Sequence, residues 1–190
     1  MKVVGISGSP RKGGNSEMLL DEALKGARSA GASTEKIILN DLDFKACQEC
    51  GGCDESGACI INDDMRLVYK KIEQADRLVI ASPVFFGSVT AQLKAMIDRF
   101  QCQWVKKYVL KKPAQPGKTR KGIFLCVSGT DKKEFFENAR SLIRIFFSTL
   151  DIVYFGDLFC GGVDRKSAIK KRKVILRKAF KLGAALVNRV

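Results

Sequence analysis

The chain contains no histidine. That removes the commonest general base and the commonest metal ligand together, so any chemistry falls to thiols, carboxylates, amines, phenols, backbone groups or a bound cofactor. A long apolar run is missing too. The longest stretch without a charge, Leu78 to Leu93, has 16 residues and is broken by Pro83 and Gly87; a membrane helix needs about 20. No membrane association is expected. The N-terminus offers Lys2 and a few apolar positions before Gly5 and Ser7, without the apolar core or cleavage site of a signal peptide. The protein is read as cytoplasmic. With 46% hydrophobic and 28% charged residues, the balance is that of a globular chain and argues against disorder. The length of 190 residues fits one domain, 1–190.

Acid is scarce, and unevenly so. The net charge is +14. Residues 104–122 carry seven Lys/Arg and no acid, and residues 164–190 carry ten Lys/Arg and one acid, Asp164. These stretches supply +16, leaving −2 for the rest. A basic chain suggests nucleic acid or anionic surfaces. Here the charge is confined to a basic loop at 104–121 and one helix. The run Lys170-Lys171-Arg172-Lys173 has no aromatic interleaving and no recognised reading motif. Nucleic acid is therefore the weaker reading of this charge, and solvated surface or a docking site for an acidic partner the stronger.

Apolar runs alternate with helical periodicity from end to end. Strands are expected at Lys2–Ser7, Thr34–Leu39, Arg77–Ser82, Gly122–Ser128 and Ile152–Phe159. Helical spacing marks Leu20/Ala23/Leu24/Ala27, Met65/Val68/Ile72/Ala75, Leu93/Met96/Ile97/Phe100, Phe135/Ala139/Leu142/Ile143/Phe146 and Leu176/Ala179/Phe180/Gly183. Five alternations predict an α/β fold with a doubly wound, five-stranded parallel sheet. The flavodoxin-like order 2-1-3-4-5 is the common solution, and its ligands bind at the carboxyl ends of the strands near the switch between the first and third.

The loops at that switch are informative. Ser7–Ser16 (SGSPRKGGNS) follows the first strand and opens the first helix. It offers hydroxyls at Ser7, Ser9 and Ser16, the Asn15 amide, cations at Arg11 and Lys12, and flexible backbone at Gly13 and Gly14. Free N–H groups at a helix start attract anions, and this composition favours a terminal phosphate over a plain turn. Neither a dinucleotide fingerprint nor a Walker loop is present. Ser82–Ser88 (SPVFFGS) leaves the third strand and sets Phe85, Phe86 and Gly87 where a flat ring would lie. Beside a phosphate loop it suggests an isoalloxazine platform. Ser128, Gly129 and Thr130 end the fourth strand and could serve the ring's polar edge.

Cysteine is concentrated. Four of seven lie within residues 47–59, as Cys47-x2-Cys50-x2-Cys53-x5-Cys59, in a loop spanning 44–64. An odd count without an export signal argues against a disulfide framework. The compact run is that of cubane iron–sulfur ligation. Structural zinc usually pairs two separate knuckles, and a shared middle cysteine suits it poorly; free thiols are the other alternative. Cys126 reads as a small core residue, and Cys102 and Cys160 lack sequence partners. Glu49, Asp54, Glu55, Asp63 and Asp64 lie in residues 47–64 with no base among them. They form a solvated face, or a field that lowers the potential of an anionic cluster.

GSPRKGGNSE, the cysteine loop and SPVFFGSVTAQLKAMIDR at 82–99 together resemble the NADPH-dependent FMN reductase superfamily, and within it the iron–sulfur flavoproteins. The resemblance covers the first hundred or so residues by motif and the remainder by element order. It implies FMN, with its phosphate at Ser9, Arg11, Asn15 and Ser16; Lys12 and Gly14 of the same loop are read as cofactor-binding with them. It places the ring at Pro83, Val84, Phe85, Phe86, Gly87 and Ser88, with Ser128 and Gly129 nearby. A 4Fe-4S cluster on Cys47, Cys50, Cys53 and Cys59 is implied, as is a homo-oligomer with the cluster near a subunit contact. Phe at 85 and 86 departs from relatives that often carry Tyr. The expected function is electron-transfer oxidoreduction, from a low-potential donor such as ferredoxin through cluster and FMN. The rivals are an NAD(P)H-dependent FMN or quinone reductase and a basic nucleic-acid-binding module.

Overall fold

Strand β1 (Lys2–Ser7) is fully buried after its first residue, and its side chains alternate between two apolar layers, as parallel strands covered on both faces must. Val4 and Ile6 face one layer with Leu78, Ile80, Phe124 and Cys126; Val3 faces the other with Val79, Ala81, Ile123 and Leu125. The computed structural model describes residues 1–112 and 119–188. The remaining strands are β2 (Ser33–Ile38), β3 (Arg77–Pro83), β4 (Arg120–Val127) and β5 (Ile152–Cys160). All pair in parallel in the order β2-β1-β3-β4-β5, the flavodoxin-like order expected from the sequence. No helix of the described residues is long and apolar enough to cross a membrane.

Helices α1 (Asn15–Ser29) and α6 (Lys173–Val187) cover one face, and α2 (Met65–Gln74), α3 (Ala91–Arg99) and α5 (Lys133–Thr149) the other. The approach of α1 to α6 depends on two glycines. A Cβ on Gly26 would overlap the Phe180 carbonyl oxygen, and one on Gly183 the Ala23 carbonyl oxygen.

The stretch expected as a loop at 104–121 differs at both ends. A short helix α4 (Gln101–Trp104) continues into a π-turn at Val105–Val109. Cys102 and Val105, three apart, are both buried, so one face of this turn packs inward, and lysine on the other face is itself a good helix former. At the other end β4 begins at Arg120, not Gly122. Arg120 is buried because its guanidinium donates to the carbonyls of Ile72, Ala75 and Leu150, at 2.5, 3.1 and 3.3 Å, where α2 and α5 end. The rest of the expected loop, 113–118, lies outside the described residues.

Candidate functional site

The chain leaves β1 and reaches α1 through a turn that only part of its sequence could tolerate. Gly13 has φ +66°, the left-handed region that favours glycine. A Cβ on Gly14 would stand 2.9 Å from both the Arg11 carbonyl oxygen and Ser9 Oγ. Ser9 Oγ accepts from the Arg11 N–H at 3.1 Å and lies 3.2 Å from the Arg11 carbonyl, so this hydroxyl is committed to shaping the turn. No side chain caps the start of α1. The helix-start N–H groups are therefore left without a side-chain cap, and the one anion of the first turn, the Glu17 carboxylate, is engaged by the Gly13 N–H at 2.7 Å and by Lys36 Nζ at 2.8 Å. Ser16 Oγ is buried on this cleft without a hydrogen-bond partner, as is Ser7 Oγ nearby. A buried orphan hydroxyl at an uncapped helix start, with Arg11 on the same wall, fits a phosphate group.

The cleft is closed by two other loops. Thr90 Oγ1 donates to the Gly8 carbonyl at 2.5 Å and accepts from Leu93 N–H at 3.3 Å, tying the start of α3 to the turn after β1. Phe85 and Ser88 exchange backbone hydrogen bonds of 2.8 and 3.1 Å. Between them Phe86 and Gly87 have φ +47° and +77°, a two-residue primed turn. Holding Phe86 there costs about 1–2 kcal/mol, and its side chain is fully exposed. Pro83, Val84, Phe85 and Gly129 line the cleft with Ser9, Arg11, Gly14, Asn15 and Ser16. Lys12, Phe86, Gly87, Ser88 and Ser128 are outside that lining. Lys12 reaches Asp41 at 4.0 Å, and Ser128 Oγ accepts from the Thr130 N–H at 3.2 Å.

Asn15 lines the cleft, and its side-chain amide is engaged by another loop. Its amide nitrogen donates to the Arg165 carbonyl at 2.9 Å and its oxygen accepts from the Ile169 N–H at 3.2 Å. The side chain thus staples the loop after β5 to the head of α1. That loop adds Val163, Asp164 and Lys166 to the cleft, none of them anticipated. Arg11 donates to the Asp164 carbonyl at 3.3 Å, so the same loop positions the cation.

The segment after β2 forms the second site. Cys47, Cys50, Cys53 and Cys59 line one cavity of about 330 Å³. All seven cysteines are free thiols. Among the described residues no group of three Cys, Asp or Glu side chains is placed to hold a metal ion. Gly51 adopts φ +70°, and a Cβ on Gly52 would overlap Ile60, so both glycines let the loop curl. Four thiols on one cavity are the donor set of an iron–sulfur cluster. Cys102 also lines the cavity and is buried, whereas Cys126 lies in the sheet core.

Arg99, which the sequence reading left without a role, completes this wall. Ending α3, it is 1% exposed. Its Nη1 donates to Asp63 Oδ2 at 2.5 Å and to the Lys45 carbonyl at 2.8 Å; its Nη2 donates to Asp63 Oδ1 at 3.1 Å and to Cys59 Sγ at 3.5 Å. Its Nε is buried and unpartnered. Burial works to raise the Asp63 carboxyl, but Arg99 and the N–H groups of Lys45 and Met65 outweigh it and hold the carboxyl below its usual range. Burial, then the Asp54 carboxylate, pushes the Cys53 thiol up. Burial does the same to Cys102.

The sequence profile of NADPH-dependent FMN reductases matches residues 1–159. An iron–sulfur flavoprotein of Methanosarcina thermophila is 40% identical over 111 residues, 58% of either chain. The chain spans about half the length of the curated relatives that it matches first. A second iron–sulfur flavoprotein, from Methanocaldococcus jannaschii, is 32% identical over 157 residues, covering 82% of this chain and 75% of the relative. Among solved structures, an NAD(P)H:quinone oxidoreductase from Methanothermobacter marburgensis superposes with a TM-score of 0.74 at 21% identity, over 100% of this chain and 98% of its own. That likeness bears on the fold. The profile and the long alignment bear on descent: the chain belongs to the NADPH-dependent FMN reductase family and, within it, to the iron–sulfur flavoproteins.

Proposed function

We propose that this chain is an electron-transfer flavoprotein that holds FMN in the cleft at the head of α1 and a 4Fe-4S cluster in the cysteine cavity. The observation that carries the reading is the cavity of four free thiols, in a fold whose phosphate-type turn keeps a buried, unpaired hydroxyl at Ser16. When bound, FMN would exchange electrons in pairs or singly and the cluster one at a time, so together they would couple one-electron to two-electron carriers. Ser16, Arg11 and the α1 N–H groups would hold the phosphate. Pro83, Val84 and Phe85 would give the ring an apolar wall, and Gly129 would leave room at its edge. Cys47, Cys50, Cys53 and Cys59 would hold the cluster, in a reducing compartment where thiols stay free.

The donor we propose is a low-potential acidic carrier such as ferredoxin. A Cβ on Gly57, in the cysteine loop, would stand 2.8 Å from Lys106 Cβ, so the chain at Lys106 packs against that loop. Lys111, Lys112, Lys170 and Lys171 are exposed. Opposite fields raise encounter rates and salt screens them. A homo-oligomer would bring further basic surface towards the cavity. The nucleic-acid reading is weakened by burial of Arg77, Arg99 and Arg120, which removes three cations from the surface. The direct reductase reading draws support from an NAD(P)H-dependent FAD/FMN reductase of Geobacillus thermodenitrificans, 29% identical over 110 residues.

Stopped-flow reduction of the anaerobic holoprotein separates the two. Reduced ferredoxin should reduce the flavin faster than NADH or NADPH, at a rate that falls with ionic strength and with charge reversal at Lys111 and Lys112. Fast reduction by NAD(P)H with a slow, salt-insensitive ferredoxin rate would establish the reductase reading instead.

A further inference from the structure

Arg99 is the only described side chain that places a buried cation on the wall of the cysteine cavity. Burying a guanidinium is costly unless its charge and its N–H groups are satisfied. Asp63 and the Lys45 carbonyl satisfy Nη1 and one side of Nη2. The remaining donation of Nη2 goes to Cys59 Sγ at 3.5 Å, and Nε has no partner at all. The residue is held in place independently of its side chain: its carbonyl accepts from Tyr69 Oη at 2.7 Å and from Cys102 Sγ at 3.5 Å. A buried donor without an acceptor calls for a missing group, and the missing group adjoins a thiol.

We infer that Arg99 is a potential-setting residue: its guanidinium donates to the sulfur of an iron–sulfur cluster held by Cys59 and its three companions, and Asp63 offsets part of its charge. This rests on the cluster reading of the cavity. Hydrogen bonds to cluster sulfurs and nearby positive charge favour the more negative, reduced state. Arg99 therefore raises the cluster's midpoint potential against the acidic loop around it, and Asp63 lowers it.

The test is an EPR-monitored redox titration of the anaerobic holoprotein, with iron and sulfide assayed on each sample. Arg99→Lys keeps a cation but loses the fork, and its midpoint should shift downward. Arg99→Met should shift further in the same direction. Asp63→Asn, which keeps Arg99 and frees its charge, should shift upward. Opposite shifts at two residues that touch each other are not what a merely structural pair would give. Unmoved midpoints in loaded Asp63→Asn and Arg99→Lys overturn the inference, and so does loss of the cluster from all three variants. A wild-type protein without iron and sulfide overturns the cluster reading and the inference with it.

Discussion

Replacing Ser16 by alanine should act in opposite directions on the empty and the flavin-loaded protein. Ser16 Oγ is buried and unpaired. An unsatisfied buried hydroxyl costs about 1–3 kcal/mol, so its removal should leave the flavin-free fold unharmed or stabilise it by about 1 kcal/mol. In a domain of this size that raises Tm by about 2–4 °C. A hydroxyl donating to a phosphate oxygen is worth about 1.5–3 kcal/mol, so FMN affinity should fall roughly 10- to 150-fold. Riboflavin, which has no phosphate, should bind as before. Ser9→Ala gives the contrast, because Ser9 Oγ already shapes the turn through Arg11: there the flavin-free protein should lose stability. Thermal melts of the apoprotein and fluorescence titrations with both flavins measure all of this. A lowered apo Tm for Ser16→Ala, or equal weakening of FMN and riboflavin, would refute the phosphate assignment.

Other expectations follow from the same structure. Serine at Cys47, Cys50, Cys53 or Cys59 should each remove iron and sulfide while FMN stays bound, whereas Cys102→Ser and Cys126→Ser should keep both; metal and sulfide analysis decides. Gly26→Ala and Gly183→Ala push α1 and α6 apart and should each cost about 1–3 kcal/mol in urea unfolding. Burial works to raise Glu17, but Lys36 and the Gly13 N–H hold it below the ordinary 4.5; Lys71 does the same for Glu35, against burial and with Lys2. Their stabilising contribution is full above 4.5 and is lost as pH falls through the depressed folded values. Apoprotein Tm should therefore drop on the acid side, less steeply in Lys36→Met.

The fold was legible because buried parallel strands are nearly continuous apolar runs. Arg77–Ser82 and Lys2–Ser7 needed no context. The start of β4 was hidden because Arg120 and Lys121 carry charge, and only the carbonyls of Ile72, Ala75 and Leu150 explain a buried arginine there. The helix through Cys102 and Val105 was masked by Lys106, Lys107, Pro113 and Pro116. At the cleft, the residues next to β1 and β3 could be read from local order. Asp164 and Lys166 could not, since the loop after β5 is brought in by the Asn15 staple, about 150 residues away in the chain. Arg99 is the clearest omission. In sequence it ends an amphipathic helix and resembles an exposed cation; only the folded cysteine loop makes it internal. Its one signal was five acids without a base in residues 47–64, which left the counter-charge to come from elsewhere.

Anaerobic purification followed by iron, sulfide and flavin analysis with an electronic spectrum tests the central claim most directly. A 4Fe-4S cluster beside FMN predicts about four iron and four sulfide per chain with about one FMN, and cluster absorption that bleaches on reduction together with the flavin bands. Zinc in place of iron, or stoichiometric FMN on a chain with neither iron nor sulfide, would contradict it.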